Sequence, residues 1–209
     1  MQDSIRNVTS FALVERKMEK GKPNLILLVV DIESLLNSVT SRVEKSDAAA
    51  ISSALQQSIS SIVMFCNCYA LMHRQNQLSV ICSLSETIRI VFPSTSSSNE
   101  TSFQPLLHTL SEQIATGLKE ALDDQIHQHS SRNVDNFGML SQSMSTALSI
   151  INRHKHLQSR ILVLQFERDR NQNYNAVMNS IFRYASDDCH KTRNSALTIS
   201  FNFHLVHKR

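Results

Sequence analysis

Two acidic residues stand where a buried strand gives way to the next segment. In "NLILLVVDIESLLNS", residues 24–38, an apolar run ends at Asp31, and Glu33 follows two positions later. In sheets of parallel strands, ligands bind beyond the carboxyl ends of the strands. The oxygens of Asp31, Glu33 and Ser34 could therefore hold a hard cation, which prefers several oxygen ligands. The two acids could also serve a hydrolase, although strand-end acids without a partnered base are usually structural.

The other motifs that would support an enzyme do not occur in the sequence. The chain has three glycines, Gly21, Gly117 and Gly138, and none lies between a predicted strand and the start of a predicted helix. The glycine-rich loops that bind phosphate, GxGxxG and GxxxxGK[ST], are absent, which argues against a dinucleotide or P-loop enzyme. No GxSxG nucleophile elbow is present either. We therefore expect no catalytic residues.

The cysteines and histidines favour structural roles. The four cysteines are Cys66, Cys68, Cys82 and Cys189. None forms a CxxC pair, and Cys66 and Cys82 lie within apolar segments, so we expect reduced thiols that pack in the core of an intracellular protein. His154 and His156 are two positions apart, which places them on different sides of a helix and indicates a solvated helix end.

Composition predicts one soluble globular domain. The chain has 209 residues, of which 41% are hydrophobic and 19% charged, and its net charge is +3. That charge does not by itself indicate nucleic-acid binding. The first twenty residues contain no sustained apolar run, and the later apolar stretches are too short or too interrupted to cross a bilayer.

Strands and helices alternate along the chain. We predict strands over 24–32, 77–84, 87–94 and 160–166, and helices over 47–76, 104–124, 137–159 and 171–188. The strand over 24–32 is apolar on both faces, so it should be central, and the adjacent strands 77–84 and 87–94 could be antiparallel. The serine-rich run 94–102 should be a mobile loop. This order predicts an α/β fold, a doubly wound and mostly parallel sheet with helices on both faces.

Several segments, taken in order, carry a resemblance to a known family. They are "LILLVVD", "YALMHRQNQLSVICS", "IRIVFPS", "STALSIINRH" with "SRILVLQFERD", and "YNAVMNSIFRYA", and they extend from about residue 24 to 186. Together they resemble the small von Willebrand factor A subunit, subunit three, of the transcription and repair factor TFIIH. The resemblance implies a von Willebrand factor A-like, Rossmann-like fold.

The metal-binding pattern of von Willebrand factor A domains is incomplete here. That pattern is an Asp-x-Ser-x-Ser loop after the first strand, a later Thr, and an Asp after the fourth strand. Asp31 matches the first ligand, but Glu33 and Leu35 occupy the two serine positions, and Gln165 and Phe166 lie near the place of the later Asp. We interpret Asp31, Glu33 and Ser34 as a degenerate ligand loop without metal, in which Asp31 caps the following turn.

The resemblance implies a scaffold rather than an enzyme. Such a subunit acts in the TFIIH core, in the nucleus, during RNA polymerase II initiation and nucleotide excision repair, and it binds subunit two and other core subunits. We expect no cofactor, no membrane association and no direct contact with nucleic acid. The alternative is a metal-dependent, ligand-binding von Willebrand factor A domain that uses Asp31, Glu33 and Ser34.

The resemblance also divides the chain. Residues 1–23 form an N-terminal extension that should be flexible, and residues 24–188 form the von Willebrand factor A-like domain. Residues 189–209 diverge from the family, whose members continue into a cysteine-rich zinc module that this sequence lacks. Apolar and polar residues alternate strictly over 197–205, which predicts either an edge strand beside 160–166 or a disordered end.

Overall fold

Four strands and four helices make up most of the described part of the chain. The computed structural model describes residues 24–42, 48–73, 75–93, 107–129, 139–154 and 157–166, together with residues 178, 179 and 182. The elements, in chain order, are β1 (Asn24–Asp31), α1 (Ile32–Arg42), α2 (Ala48–Met72), β2 (Gln77–Ser83), β3 (Ile88–Phe92), α3 (Leu107–His129), α4 (Leu140–Arg153) and β4 (Gln158–Leu164).

The strands form one mixed sheet in the order β3-β2-β1-β4. β1 pairs in parallel with both β2 and β4, and its Leu28 lies opposite Val80 on one side and Leu162 on the other. β2 and β3 are antiparallel. The predicted central position of the first strand and the antiparallel pair are therefore confirmed, as is the α/β fold with helices on both faces.

Alternate residues of β1 point to opposite faces of the sheet, and each face has its own apolar core. Leu28 and Val30 lie in the core that contains buried side chains of α1, α2 and α3. Leu27 and Val29 lie in the core that contains α4. Covering both faces of β1 explains why its sequence is apolar almost without interruption.

α1 was not predicted from the sequence. We predicted a strand up to residue 32 and no helix before residue 47, whereas β1 ends at Asp31 and α1 begins at Ile32. Ile32, Leu35, Leu36 and Val39 are all buried, and their spacing of three, four and seven residues is that of one helical face. The prediction failed because the segment was interpreted as a ligand loop.

Two further boundaries were wrong, and some predictions lie outside the described residues. α3 continues to His129 instead of ending at residue 124, and α4 ends at Arg153 instead of continuing to 159. Residues 178, 179 and 182 are helical, in agreement with the predicted last helix. The predictions for the extension 1–23, the loop 94–102 and the tail 189–209 fall outside the described part.

Candidate functional site

The carboxyl ends of the three parallel strands meet at one edge of the sheet. Asp31, the last residue of β1, lies opposite Ser83, the last residue of β2, and Val30 lies opposite Leu164 at the end of β4. Gln165 and Phe166 follow directly. The sheet therefore brings the predicted loop and the segment after β4 to the same edge, where α/β folds bind ligands.

Asp31 caps α1. Its Oδ1 accepts a hydrogen bond of 3.2 Å from the backbone N–H of Ser34, the third residue of the helix. This is the usual N-cap arrangement, in which a side-chain oxygen satisfies one of the free N–H groups of the first turn. Glu33 also lies in that first turn, where the helix dipole favours a carboxylate. The predicted cap is present.

Ser34 joins the turn after β1 to the segment after β4. Its hydroxyl donates to the backbone carbonyl of Asp31 over 3.0 Å and accepts from the backbone N–H of Phe166 over 3.1 Å. Both hydrogen bonds are buried. The hydroxyl that could have served a cation thus connects two backbone segments 132 residues apart.

Hydrocarbon occupies one ligand position of the metal-binding pattern and lies next to another. Leu35, at the second serine position, has 1% of its surface exposed and lies in the core formed with α1, α2 and α3. Phe166 is buried in the same core, and Gln165 is buried as well. Among the described residues, no group of three or more His, Cys, Asp or Glu side chains is arranged to hold a metal ion.

Two serines that the sequence analysis missed complete the polar groups at this edge. Ser83 and Ser143 are fully buried, and within the described chain their hydroxyls have no hydrogen-bond partner. Ser83 lies on the same face of the sheet as Asp31. Ile81 and Val29, which precede them by two positions, pack together on the side of α4, and residues two apart in a strand share a face. Ser143 is on the buried side of α4. Only the position of Ser83 at a strand end could have drawn attention to either residue.

α4 approaches this edge through its first turn. The backbone N–H of Met139, just before the helix, donates to the carbonyl of Leu84, just after β2, over 3.2 Å. Ser143 lies one helical turn further on. The start of α4 and the end of β2 are therefore neighbours, and the buried hydroxyls of Ser83 and Ser143 belong to the same region.

A buried amide fixes the turn between β2 and β3. Gln125 of α3 is fully buried; its Oε1 accepts from the backbone N–H of Ser85 over 2.9 Å, and its Nε2 donates to the Ser85 hydroxyl. Nearby, Arg89 of β3 forms ion pairs with Glu120 and Asp124 of α3. From the sequence, this helix was predicted to end at residue 124, so Gln125 was left out, although its spacing from Ile114, Leu118 and Leu122 marks the buried face.

Cys66, Cys82 and His154 agree with the predicted structural roles. Cys66 and Cys82 lie fully buried in the core, and burial raises the pKa of each thiol to about 12. At neutral pH both are protonated and unreactive as nucleophiles. His154 ends α4, its backbone N–H bonded to the carbonyls of Ile150 and Ile151, as predicted for a helix end. His156 lies outside the described residues.

Comparison with known proteins identifies the family. The model of the family "Transcription factor Tfb4" matches residues 23–190, most of the chain. The chain belongs to the Tfb4 family. This confirms the resemblance to the small TFIIH subunit that the ordered segments between residues 24 and 186 had indicated.

A solved structure supports the same fold for this Tfb4-family chain. The crystal structure of the TFIIH p34 N-terminal domain matches with a TM-score of 0.51 and 17% sequence identity, over 86% of this chain and 81% of that one. At this identity the likeness concerns the fold, which is the predicted von Willebrand factor A-like α/β fold. A comparison with curated protein sequences gave no match.

Proposed function

We propose that this Tfb4-family chain is a non-catalytic scaffold subunit of the TFIIH core. It acts in RNA polymerase II initiation and in nucleotide excision repair by binding subunit two, and its place of action is the nucleus. It needs no cofactor and makes no direct contact with nucleic acid. Membership of the Tfb4 family supports the assignment to TFIIH.

The scaffold role rests mainly on one observation at the edge of the sheet where the carboxyl ends of β1, β2 and β4 meet, which we call the ligand edge. There, residues of the predicted ligand loop make contacts within the fold. Asp31 caps a helix, Ser34 joins two backbone segments, and Leu35 fills the core. Asp31, Ser34 and Leu35 thus serve the fold instead of a ligand. A domain that retains the fold while its ligand loop is built into the core is suited to presenting a surface to other proteins.

Co-expression with the zinc-binding C-terminal region of subunit two tests this proposal. We expect the tagged full chain to recover that region in a one-to-one complex, in magnesium-free buffer as well as with magnesium. Omission of magnesium is preferable to a chelator, which would unfold the partner's zinc module. The variant Asp31→Asn, which keeps a capping oxygen, should bind equally well. A folded chain that leaves the partner unbound would refute the scaffold role.

A second candidate, a metal-dependent ligand-binding domain, is favoured by one specific observation. The buried hydroxyls of Ser83 and Ser143 have no partner within the described chain, and Ser83 lies beside Asp31. Buried polar groups are normally paired, and two hydroxyls with a carboxylate are oxygen ligands that magnesium accepts. This candidate would use Asp31, Ser83 and Ser143 in place of the Asp31, Glu33 and Ser34 set.

Magnesium calorimetry distinguishes the two candidates. The scaffold proposal predicts no saturable heat in the micromolar range. A one-to-one isotherm that disappears in Asp31→Ala and weakens in Ser83→Ala would favour the metal-dependent domain. Ser58→Ala is the matched control, because Ser58 is also buried but its hydroxyl donates to the Ala54 carbonyl of its own helix.

A further inference from the structure

In its C-terminal half, the outward side of α2 is apolar, whereas the exposed side of a surface helix is normally polar or charged. Met64, Phe65, Leu71 and Met72 have 67%, 39%, 66% and 77% of their surface exposed. α2 is long and apolar enough to cross a membrane by length and composition. However, six of its residues are buried, and Ile59, Ile62 and Cys66 among them lie in the apolar core that also contains side chains of α1 and α3. The exposed apolar residues lie on the side of α2 that faces away from this core.

These residues form one continuous stripe, which we call the α2 stripe. It consists of Ser61, Met64, Phe65, Cys68, Leu71 and Met72, all of which are exposed. The hydroxyl of Ser61 donates to the Gln57 carbonyl of the same helix over 2.9 Å, so it is not directed to an outside partner. Over its length of about 17 Å, the stripe thus offers hydrocarbon and sulfur and one internally bonded hydroxyl.

The spacing within the stripe indicates the shape of its partner. Ser61, Met64, Cys68 and Leu71 are separated by three, four and three residues, the a and d positions of a heptad, and Phe65 and Met72 each follow at the next e position. Apolar a, d and e positions are the pattern of a helix that packs along another helix. A helix laid along α2 at a shallow angle would bury the whole stripe.

Charge and area restrict the partner further. α2 contains no Asp, Glu, Lys or Arg in its 25 residues. A charged partner surface would therefore lose its hydration here without gaining an ion pair, so the complementary surface must be uncharged and apolar. The four large side chains expose on the order of 500 Å², which accounts for most of the roughly 800 Å² that each side contributes to a standard interface.

We propose that the α2 stripe is the docking surface for an uncharged, apolar α-helix of another TFIIH subunit. This inference rests on the proposed scaffold function and deepens it, because it assigns the assembly contact to one face of one helix. The docked helix covers Met64, Phe65 and Leu71, and the ligand edge of the sheet takes no part in the contact.

Paired substitutions in the tagged full chain test the inference. Met64→Glu with Leu71→Glu introduces two carboxylates into the stripe, one in each half. Ser53→Glu with Gln56→Glu adds the same charge at exposed positions nearer the start of α2. We expect the first pair to reduce recovery of identified TFIIH subunits at least tenfold and the second to leave it unchanged. Both pairs should unfold at the temperature of the wild type, since all four positions are exposed.

The outcomes separate the inference from the proposed function. If the wild-type chain recovers its TFIIH partners and the Met64/Leu71 variant recovers them equally, the inference is wrong and the scaffold role stands. If the folded wild-type chain recovers no TFIIH subunit, both are wrong. Binding to phosphatidylcholine vesicles that depends on Met64 and Leu71 would also overturn the inference, because the stripe would then face lipid.

Photo-cross-linking identifies the occupant directly. p-Benzoylphenylalanine in place of Phe65 keeps an aromatic group within the stripe. Irradiation of the purified assembly should yield a cross-link to an apolar helical segment of another TFIIH subunit. Cross-links only to a second copy of this chain, or to another segment of the same chain, would refute the proposal.

Discussion

Replacement of Ser34 by alanine tests whether the edge of the sheet is structural. The Ser34 hydroxyl makes two buried hydrogen bonds, one to the Asp31 carbonyl and one from the Phe166 N–H. Its removal leaves that N–H without this acceptor. A buried unsatisfied donor costs about 1–3 kcal/mol, and a typical hydrogen bond contributes about 1 kcal/mol. We therefore expect Ser34→Ala to lower the free energy of unfolding by about 2–3 kcal/mol, or Tm by roughly 5–10 °C.

The matched control is Ser41→Ala in the same helix. The Ser41 hydroxyl donates only to the Ser38 carbonyl of its own helix, and Ser41 itself is exposed. Both substitutions gain the same helix propensity. The difference between the two variants in free energy of unfolding therefore measures the hydrogen bond from the Phe166 N–H. Urea unfolding followed by circular dichroism measures it, with and without magnesium. A difference below about 0.5 kcal/mol, the normal range for surface substitutions, would refute the reasoning, and a loss seen only with magnesium would indicate a metal-linked role.

Three further predictions concern the core. Gln125→Ala should lower the free energy of unfolding by about 2–3 kcal/mol, because the Ser85 N–H loses its acceptor. Urea titration measures this loss, and an unchanged midpoint would show that Gln125 does not stabilise the turn between β2 and β3. Gly117→Ala should destabilise by about 1–2 kcal/mol despite its better helix propensity, because the new Cβ would lie 2.5 Å from Val91 Cγ1; a gain in Tm would show that β3 and α3 separate easily. The pKa of the Cys82 thiol is raised from 9.0 to about 12 by burial. Between those values the unfolded chain loses this proton first, so stability should fall as pH rises from about 9 to about 12, and less steeply in Cys82→Ala, as followed by thermal unfolding.

The sheet could be predicted from the sequence because its central strand has an unusual pattern. β1 packs against helices on both faces, so nearly every residue is apolar, and that run distinguishes a parallel central strand from a half-exposed one. The antiparallel β2–β3 pair could be anticipated from the short link between them. Because β1 is parallel to both β2 and β4, the carboxyl ends of the three strands lie at one edge, which is where the sequence directed the search for a ligand.

The candidate site was harder to predict, because its contacts join distant parts of the chain. The capping role of Asp31 is local and could be anticipated, whereas the bond between Ser34 and Phe166 depends on how β1 and β4 align. Gln125 looks like an ordinary polar helix residue until α3 packs against the β2–β3 turn. α1 was missed although its apolar spacing is clear, since the residues Asp31 to Leu35 were interpreted through a ligand motif instead of through their periodicity.

The two surfaces proposed for function can be separated because they lie on different elements and use different forces. At the ligand edge, Asp31 and Ser34 are buried polar groups whose hydrogen bonds support the fold, so changes at Ser34 should alter stability with or without a partner. The α2 stripe consists of exposed apolar groups that few internal contacts hold, so changes at Met64 and Leu71 should alter association and leave the unfolding temperature unchanged. In a metal-dependent domain, a change at the edge would instead alter association, because Asp31→Ala would abolish magnesium binding and ligand binding together. Stability and association measured on both sets of variants therefore decide which surface this Tfb4-family chain uses.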